Sequence, residues 1–503
     1  MVRKIFCATR FGLHTKIVEV EVSFTRGLPA FLISGLATNA IQESKQRVHS
    51  ALSANGFNFP PLKITINLSP ADLPKYGSHF DLPIALLIAM QKQENTLQNN
   101  WFAFGELGLD GTLKHSNDIF ALVLDVMLFD SNACIILPKE SEQYFSFVPN
   151  LRCVYASNLK EAMEQILQDT PPYPNSKQLT FPSIKIRNTE YFYLQEFKND
   201  FKEVRGQIVA KRAALIAAAG FHNLILEGSP GCGKSMIIKR LQEILPPMSL
   251  EEIMQNARLN ALNNQEISFL PLRNFKSPHQ SASKASILGS ASNKEPKPGE
   301  IALAHQGILF FDELPYFKKE VLESLREPLE NNCLVVSRVH SKITYETSFL
   351  FAGAQNPCPC GNLLSLIKEC RCSEKEIKTY KNKLSQPFLD RIDLFVQMKE
   401  IDEDKSIGMD SKTMQQQVFD AFIMQKQRGQ KNFNAKMSEK ELEKFCTLSD
   451  EIQDLLARAV QRFGISERSV NKLRKIARTI ADLDKSEVIQ KSHMLEALSY
   501  RRI

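Results

Sequence analysis

Between Lys16 and Phe24 every second residue is apolar (Val18, Val20, Val22, Phe24), a period that predicts a strand with one buried face. From Ala40 to Leu52 the spacing changes: Ile41, Ser44, Lys45, Val48, Ala51 and Leu52 share one side of a helix, and Ile64, Ile66 and Leu68 then alternate again. This order predicts an α+β domain over residues 1–168. It fades into Asp169-Thr-Pro-Pro-Tyr-Pro-Asn-Ser-Lys177, where the prolines exclude helix, so residues 169–190 are expected to be a linker. An α/β domain follows over 191–400, with apolar runs at 223–227, 307–311 and 349–354. Residues 401–503 are helical in pattern, most clearly at Val470, Leu473, Ile476, Ala477, Ile480 and Leu483. No internal repeat is visible.

The first of those runs leads into Gly228-Ser229-Pro230-Gly231-Cys232-Gly233-Lys234-Ser235, and a helical pattern follows at once (Met236, Ile237, Ile238, Leu241, Ile244, Leu245). A strand, a glycine-rich loop and a helix in this order make a phosphate-binding loop. The glycines let successive backbone N–H groups converge on phosphate, Lys234 reaches the terminal phosphates, Ser235 can ligate Mg²⁺, and the helix presents its positive dipole end. The run Gly307-Ile-Leu-Phe-Phe-Asp312-Glu313 reads as a buried parallel strand ending in two acids. Alone, it could simply end in solvated carboxylates. Beside the loop, Asp312 is expected to hold Mg²⁺ and Glu313 to polarise the attacking water.

At 503 residues the chain is too long for one core, so two to four domains are expected. The excess of 63 Lys+Arg over 56 Asp+Glu is small and permits an anionic partner without requiring one. No charged-then-apolar leader and no stretch of membrane-spanning length is visible, so a cytoplasmic protein is expected. Six cysteines (Cys7, Cys134, Cys153, Cys232, Cys333, Cys446) are scattered as reduced thiols would be. Cys358, Cys360, Cys370 and Cys372 instead form two Cys-x-Cys pairs across a short polar loop, a donor set for one structural Zn²⁺. Cys-x-Cys is a tighter bite than Cys-x-x-Cys, and four free thiols is the competing reading.

Longer segments carry a resemblance. Gly27-Leu-Pro-Ala-Phe31, Asn67-Leu-Ser-Pro-Ala-Asp72, Phe80-Asp-Leu-Pro-Ile84 and Gly105-Glu-Leu-Gly-Leu-Asp-Gly111 lie in the first domain. Pro298-Gly-Glu-Ile301, Phe310-Phe-Asp-Glu-Leu-Pro315, Leu325-Arg-Glu-Pro-Leu-Glu330, Asn356-Pro-Cys-Pro-Cys-Gly361 and Leu389-Asp-Arg-Ile-Asp393 lie in the second. Over nearly its whole length the chain resembles the ComM/YifB family of magnesium-chelatase-like AAA+ ATPases. The resemblance implies an α/β fold: an AAA+ P-loop NTPase core with a helical lid, preceded by an α+β domain like the C-terminal domain of Lon protease, of ribosomal S5 type. By the same resemblance Asn356 matches sensor 1, which orients the lytic water; Arg391 matches an arginine finger acting from a neighbouring subunit; and Arg468, in Ile465-Ser-Glu-Arg-Ser469, matches sensor 2.

A finger supplied in trans implies a homo-oligomer, in this family a hexameric ring. Such rings draw nucleic acid through a central channel. Two segments are candidates to line it: residues 273–284, with Lys276, His279 and Lys284, which resemble the family's helix-2 insert, and the expected hairpin 335–345, with Arg338, His340 and Lys342. Both are expected to put cations on exposed turns, and ordinary solvated side chains are the competing reading. The chain departs from the family in having Gln280 where a second histidine is usual and Asn274 where a proline is usual.

The favoured function is therefore an ATP-dependent DNA motor driving branch migration in recombination and natural transformation, with DNA and recombination proteins as partners and no membrane. A chelatase-type motor remodelling a protein partner is the alternative; Asp404-Lys-Ser406-Ile-Gly408 begins like a metal-dependent adhesion motif but lacks its last serine. An ATP-dependent protease needs a serine activated by a lysine. Here His79 falls at the nucleophile position with Ser78 one place early, and Phe120 at the activating position, so the first domain is expected to be non-proteolytic.

Overall fold

The alternating residues of the amino-terminal segment form the strand His14–Thr25, and its register with Lys63–Ser69 sets Val20 opposite Leu68 and Val22 opposite Ile66. One face of the sheet is therefore continuously apolar. The computed structural model describes residues 3–11, 14–93, 97–290, 297–337, 342–400, 409–464 and 466–501. Arg338, His340, the side chain of Lys342 and the segment from Asp404 to Gly408 lie outside what is described. Among the described residues no helix is long and apolar enough to cross a membrane.

The chain divides into two units, one running through Thr180 with Ala257–Phe269 and a short stretch ending at Lys297 added, the other holding the remainder from Phe181. The first unit contains a seven-stranded mixed sheet in the order Ala30–Ser34, Lys63–Ser69, His14–Thr25, Arg3–Phe11, Trp101–Ala103, Cys134–Pro138, Arg152–Ala156. Helices Asp81–Ala89 and Asn117–Phe129 pack on its central strands. The helix Asn39–Ala54 buries Ile41, Ser44, Val48, Ala51 and Leu52, the face its periodicity marks.

The second unit is built on a five-stranded parallel sheet in the order Phe275–Lys276, Ile308–Phe311, Leu350–Gln355, Leu224–Glu227, Leu394–Gln397. The strand Leu224–Glu227 is wholly buried, as a strand paired on both sides and covered on both faces must be. Helices Ile208–Gly220, Ser411–Gln427 and Glu467–Leu483 share one apolar core with the sheet, so the carboxy-terminal helices are continuous with it through Met414, Val418, Ile476 and Ile480. The segment 169–190 is not structureless throughout: Ser183–Ile186 and Thr189–Phe192 form an antiparallel hairpin, joined by Met248–Ser249. The alternation that buries Ile186 and Phe192 begins only after the prolines end.

Candidate nucleotide-binding site

Parallel strands deliver their following loops to one end of a sheet. Gly228, Asp312 and Asn356 directly follow the strands Leu224–Glu227, Ile308–Phe311 and Leu350–Gln355, and so converge there. The loop turns through Gly231 at φ 84° and Gly233 at φ 95°, in the left-handed region where a side chain is strained, and both glycines face open space. The helix Lys234–Leu241 begins immediately and is anchored by buried Ile237, Ile238 and Leu241.

Lys234 Nζ donates to the carbonyls of Gly228 at 2.6 Å and Ser229 at 2.9 Å, and to Asn356 Oδ1 at 3.2 Å. Ser235 Oγ donates to Asp312 Oδ2 at 2.8 Å. The structure thus brings the loop lysine to Asn356 and the loop serine to the strand-end acid. The Ser229 hydroxyl is buried without a partner among the described residues. An unpaired buried donor, a cation lying over carbonyls and a serine paired with an acid fit a Mg²⁺-bound triphosphate. Glu313 is exposed, in a left-handed conformation at φ 52°, beside Asp312. Beneath the loop Glu227 accepts from Gln355 at 2.6 Å and Gln397 at 3.2 Å, tying three adjacent strands together. Sequence reasoning missed this network, because a lone acid ending an apolar run does not announce its partners.

The two arginines stand elsewhere. Asn223, which precedes the strand Leu224–Glu227, donates from Nδ2 to the Arg391 carbonyl at 3.0 Å, so Arg391 lies at the amino ends of the strands, one strand length or roughly 13 Å from the phosphate loop. Its guanidinium donates to the Arg326 carbonyl at 2.9 Å, to the Pro387 carbonyl and to Glu330. Burial, then the nearby charge of Arg326, lowers its pKa from the usual arginine value. Arg468 pairs with the other oxygen of Glu330. The structure therefore brings Arg468 to Arg391 and not to the phosphate loop of its own chain. Glu330 ends the Leu325-to-Glu330 segment legible in sequence, but nothing there gave it a role. Close by, burial pushes the Asp393 carboxyl up, yet Lys472, His222 and the Asn223 amide together hold it well below the usual carboxylate range.

Of the cations proposed to line a channel, His279 and Lys284 are exposed. Lys276 is not on an exposed turn: it sits half-buried in the edge strand Phe275–Lys276, and burial lowers its pKa. The segment starts in the core, where Arg273 donates to the carbonyls of Pro246, Pro247 and Gln306 at 3.0 to 3.1 Å and to Glu252 at 3.1 Å. The expected hairpin is present as Cys333–Ser337 paired with Lys342–Glu346.

Cys358, Cys360, Cys370 and Cys372 have their sulfurs within 4.8 Å of one another. Backbone N–H groups of Asn362 and Arg371 lower the Cys360 thiol to about 6. In the first unit, Ser78 is hydrogen-bonded to Glu106, and the lysine three positions before it, Lys75, to the Pro70 carbonyl, so the two have different partners. His79 is buried against the Ala8 carbonyl at 2.9 Å, and Phe120 is in the core.

Family models agree with this geometry. Residues 200–406 match the model of the magnesium chelatase subunit ChlI, 20–141 a second ChlI model and 408–501 the ChlI carboxy-terminal model. YifB of Salmonella typhimurium is 35% identical over 98% of this chain and 95% of its own length, and the competence protein ComM of Haemophilus influenzae is 34% identical over 99% and 97%. YifB of Escherichia coli is 35% identical over 98% and 95%. The chain belongs to the magnesium-chelatase-like ComM/YifB family. Membership in this AAA+ family implies an ATPase using ATP and Mg²⁺, which agrees with the chemistry of Lys234, Ser235 and Asp312.

Proposed function

We propose that the chain is an ATP-driven DNA motor, working in the cytoplasm as a ring of six copies that moves branch points during homologous recombination and natural transformation, together with other recombination proteins. The observation that carries this reading is the separation of Arg391 and Arg468 from their own phosphate loop. Arginines at the amino ends of the strands are of use to a nucleotide held by an adjacent copy. The competence protein among its relatives supports the process, and exposed His279 and Lys284 support contact with a polyanion.

In this reading Lys234 exchanges its carbonyl contacts for phosphate oxygens, and Ser235 and Asp312 hold the metal. When bound, Mg²⁺ neutralises the phosphate oxygens. The Asn356 amide orients water, the Glu313 carboxylate takes the proton from it, and Arg391 of the adjacent copy stabilises the developing charge, an effect on the order of 10³ or more in rate. The first unit is a non-proteolytic scaffold with a Lon-like fold, supported by the separate partners of Ser78 and Lys75. Cys358, Cys360, Cys370 and Cys372 hold a structural Zn²⁺.

Hydrolysis of ATP measured with and without single-stranded and four-way-junction DNA, with junction opening followed in the same tube, tests the motor. Stimulation by DNA, and junction movement by the parent but not by Glu313→Gln, is expected. Hydrolysis indifferent to DNA at low salt would favour the second reading, a chelatase-type motor remodelling a protein partner, which the ChlI models support.

A further inference from the structure

The four-cysteine cluster is contiguous with the nucleotide site. Asn356 ends the stretch that leaves the strand Leu350–Gln355, and Cys358 comes two residues later, fully buried. The chain then turns tightly, with the Gly361 amide donating to the Cys358 carbonyl at 3.0 Å. Gly361 has φ 82°, and a Cβ placed there would lie 2.6 Å from Cδ and 2.7 Å from Cγ of Pro230. No side chain fits: the turn lies directly on the phosphate loop. A single short segment thus bears two contacts to that loop, Asn356 to Lys234 at one end and Gly361 to Pro230 at the other, with Cys358 and Cys360 between them.

Three of the sulfurs are spaced as in a closed tetrahedral site, and the fourth, of Cys372, lies within 4.8 Å of them. Metal–sulfur bonds of about 2.3 Å in a tetrahedron separate the sulfurs by about 3.8 Å. Cys358 and Cys360 are 3.4 Å apart, Cys358 and Cys370 3.7 Å, and Cys360 and Cys370 3.6 Å. Four thiolates with no carboxylate or open position favour a soft or borderline divalent ion of the zinc class, in a site with no room for catalytic water.

We infer that this metal is a positioning element for the nucleotide site: by fixing Cys358 and Cys360 it holds Asn356 against Lys234 and Gly361 against Pro230, so that occupancy of the four thiolates sets how tightly the phosphate loop grips nucleotide. The inference rests on the nucleotide-site and zinc readings above. Binding displaces the thiol protons to solvent and replaces a loop closed by weak sulfur contacts with one closed by coordinate bonds. Cys370 and Cys372 supply the other half of the clamp from beyond the intervening loop, so the turn is gripped from outside as well as along its own backbone.

The test uses the full chain purified under reducing conditions. Metal content is read by elemental analysis, and Co²⁺ reconstitution by the visible bands of a tetrahedral thiolate complex. Affinity is measured for a fluorescent, slowly hydrolysed ATP analogue before and after stripping the metal. One zinc-class ion per chain is expected, with a loss of affinity on stripping on the order of tenfold or more, restored by Zn²⁺ and not by excess Mg²⁺. Gly361→Ala keeps all four cysteines; it should keep its metal and still bind the analogue more weakly. This variant carries the test if the stripped chain unfolds. Parental affinity in Gly361→Ala, or in the stripped and folded chain, overturns the coupling while leaving the metal site standing. Failure to hold either Zn²⁺ or Co²⁺ overturns the site, with the nucleotide reading untouched. A parent with its metal bound that takes up no analogue overturns the nucleotide reading and the coupling with it.

Discussion

Arg391 is held by Glu330 of its own chain, and the same carboxylate takes Arg468 on its other oxygen. Two guanidiniums share one acid at the amino ends of the strands, so Arg391 must leave Glu330 before it can act on a nucleotide bound by another copy. Arg391→Ala should leave analogue binding intact and lower hydrolysis about 10³-fold. Mixing Arg391→Ala chains with Glu313→Gln chains should restore part of the activity, because at mixed interfaces one chain supplies the arginine and the other the glutamate. No recovery in the mixture would count against action in trans. Glu330→Gln should cost roughly 1 kcal/mol of stability, a small figure because solvent reaches the pair, and denaturant midpoints will read it.

Lys234 turns its ammonium onto the phosphate loop, donating to the Gly228 and Ser229 carbonyls and to Asn356. Lys234→Ala should abolish binding of the analogue. Glu313→Gln should bind it as the parent does and hydrolyse ATP at least about 100-fold more slowly, since it loses a general base without losing a phosphate contact. Hydrolysis by Glu313→Gln at the parental rate would remove Glu313 from the mechanism.

Much of this site was legible because its parts are local. A glycine-rich loop between a strand and a helix, and two acids ending an apolar run, keep their meaning without knowledge of the rest of the chain. The alternations around Val20 and Ile66 were legible for the same reason. Glu330 was not, since its partners lie 61 and 138 positions away, with Arg391 and Arg468, and a helical glutamate looks solvated in sequence. Neither was the helix Asp81–Ala89, whose residues from Leu82 to Ile88 are all buried and so leave no periodicity to read. Lys276 misled in the opposite direction: a lysine among polar residues reads as a loop, but pairing with Ile308–Phe311 makes it an edge strand.

Asp81 has no exposed side-chain surface and accepts from Arg47 at 2.6 and 3.0 Å and from the Leu107 amide at 3.2 Å. Burial raises its pKa from 3.8 to about 6, outweighing the opposing pull of Arg47. The folded chain therefore keeps this proton to a higher pH than the unfolded chain does. Its contribution to stability is complete below about pH 4 and is lost as the pH rises through about 6, a span of about 3 kcal/mol at most. Asp81→Asn should flatten that part of the stability curve, measured by urea unfolding at several pH values between 4 and 7. An unchanged slope would remove Asp81 as its source.

Asp393 is the buried counter-charge for Lys472 at 3.3 Å and stands 3.4 Å from His222. Asp393→Asn leaves that lysine inside without its partner, at a cost of about 3 kcal/mol. Adding Lys472→Met should recover part of the loss, because an apolar side chain needs no counter-charge. Denaturant midpoints of the single and double variants check this; equal midpoints would show that the pair is not coupled.

The strand Leu350–Gln355 has Asn356 at one end and, at the other, the few residues that lead back to the hairpin strand Lys342–Glu346. Its six residues span about 20 Å, and neighbours on both sides hold it extended. Such a strand has no slack, neither stretching like a loop nor bending like a lone helix. The strand thus joins Asn356, beside the phosphate loop, to the connection that leads back to the hairpin with no flexible link between them.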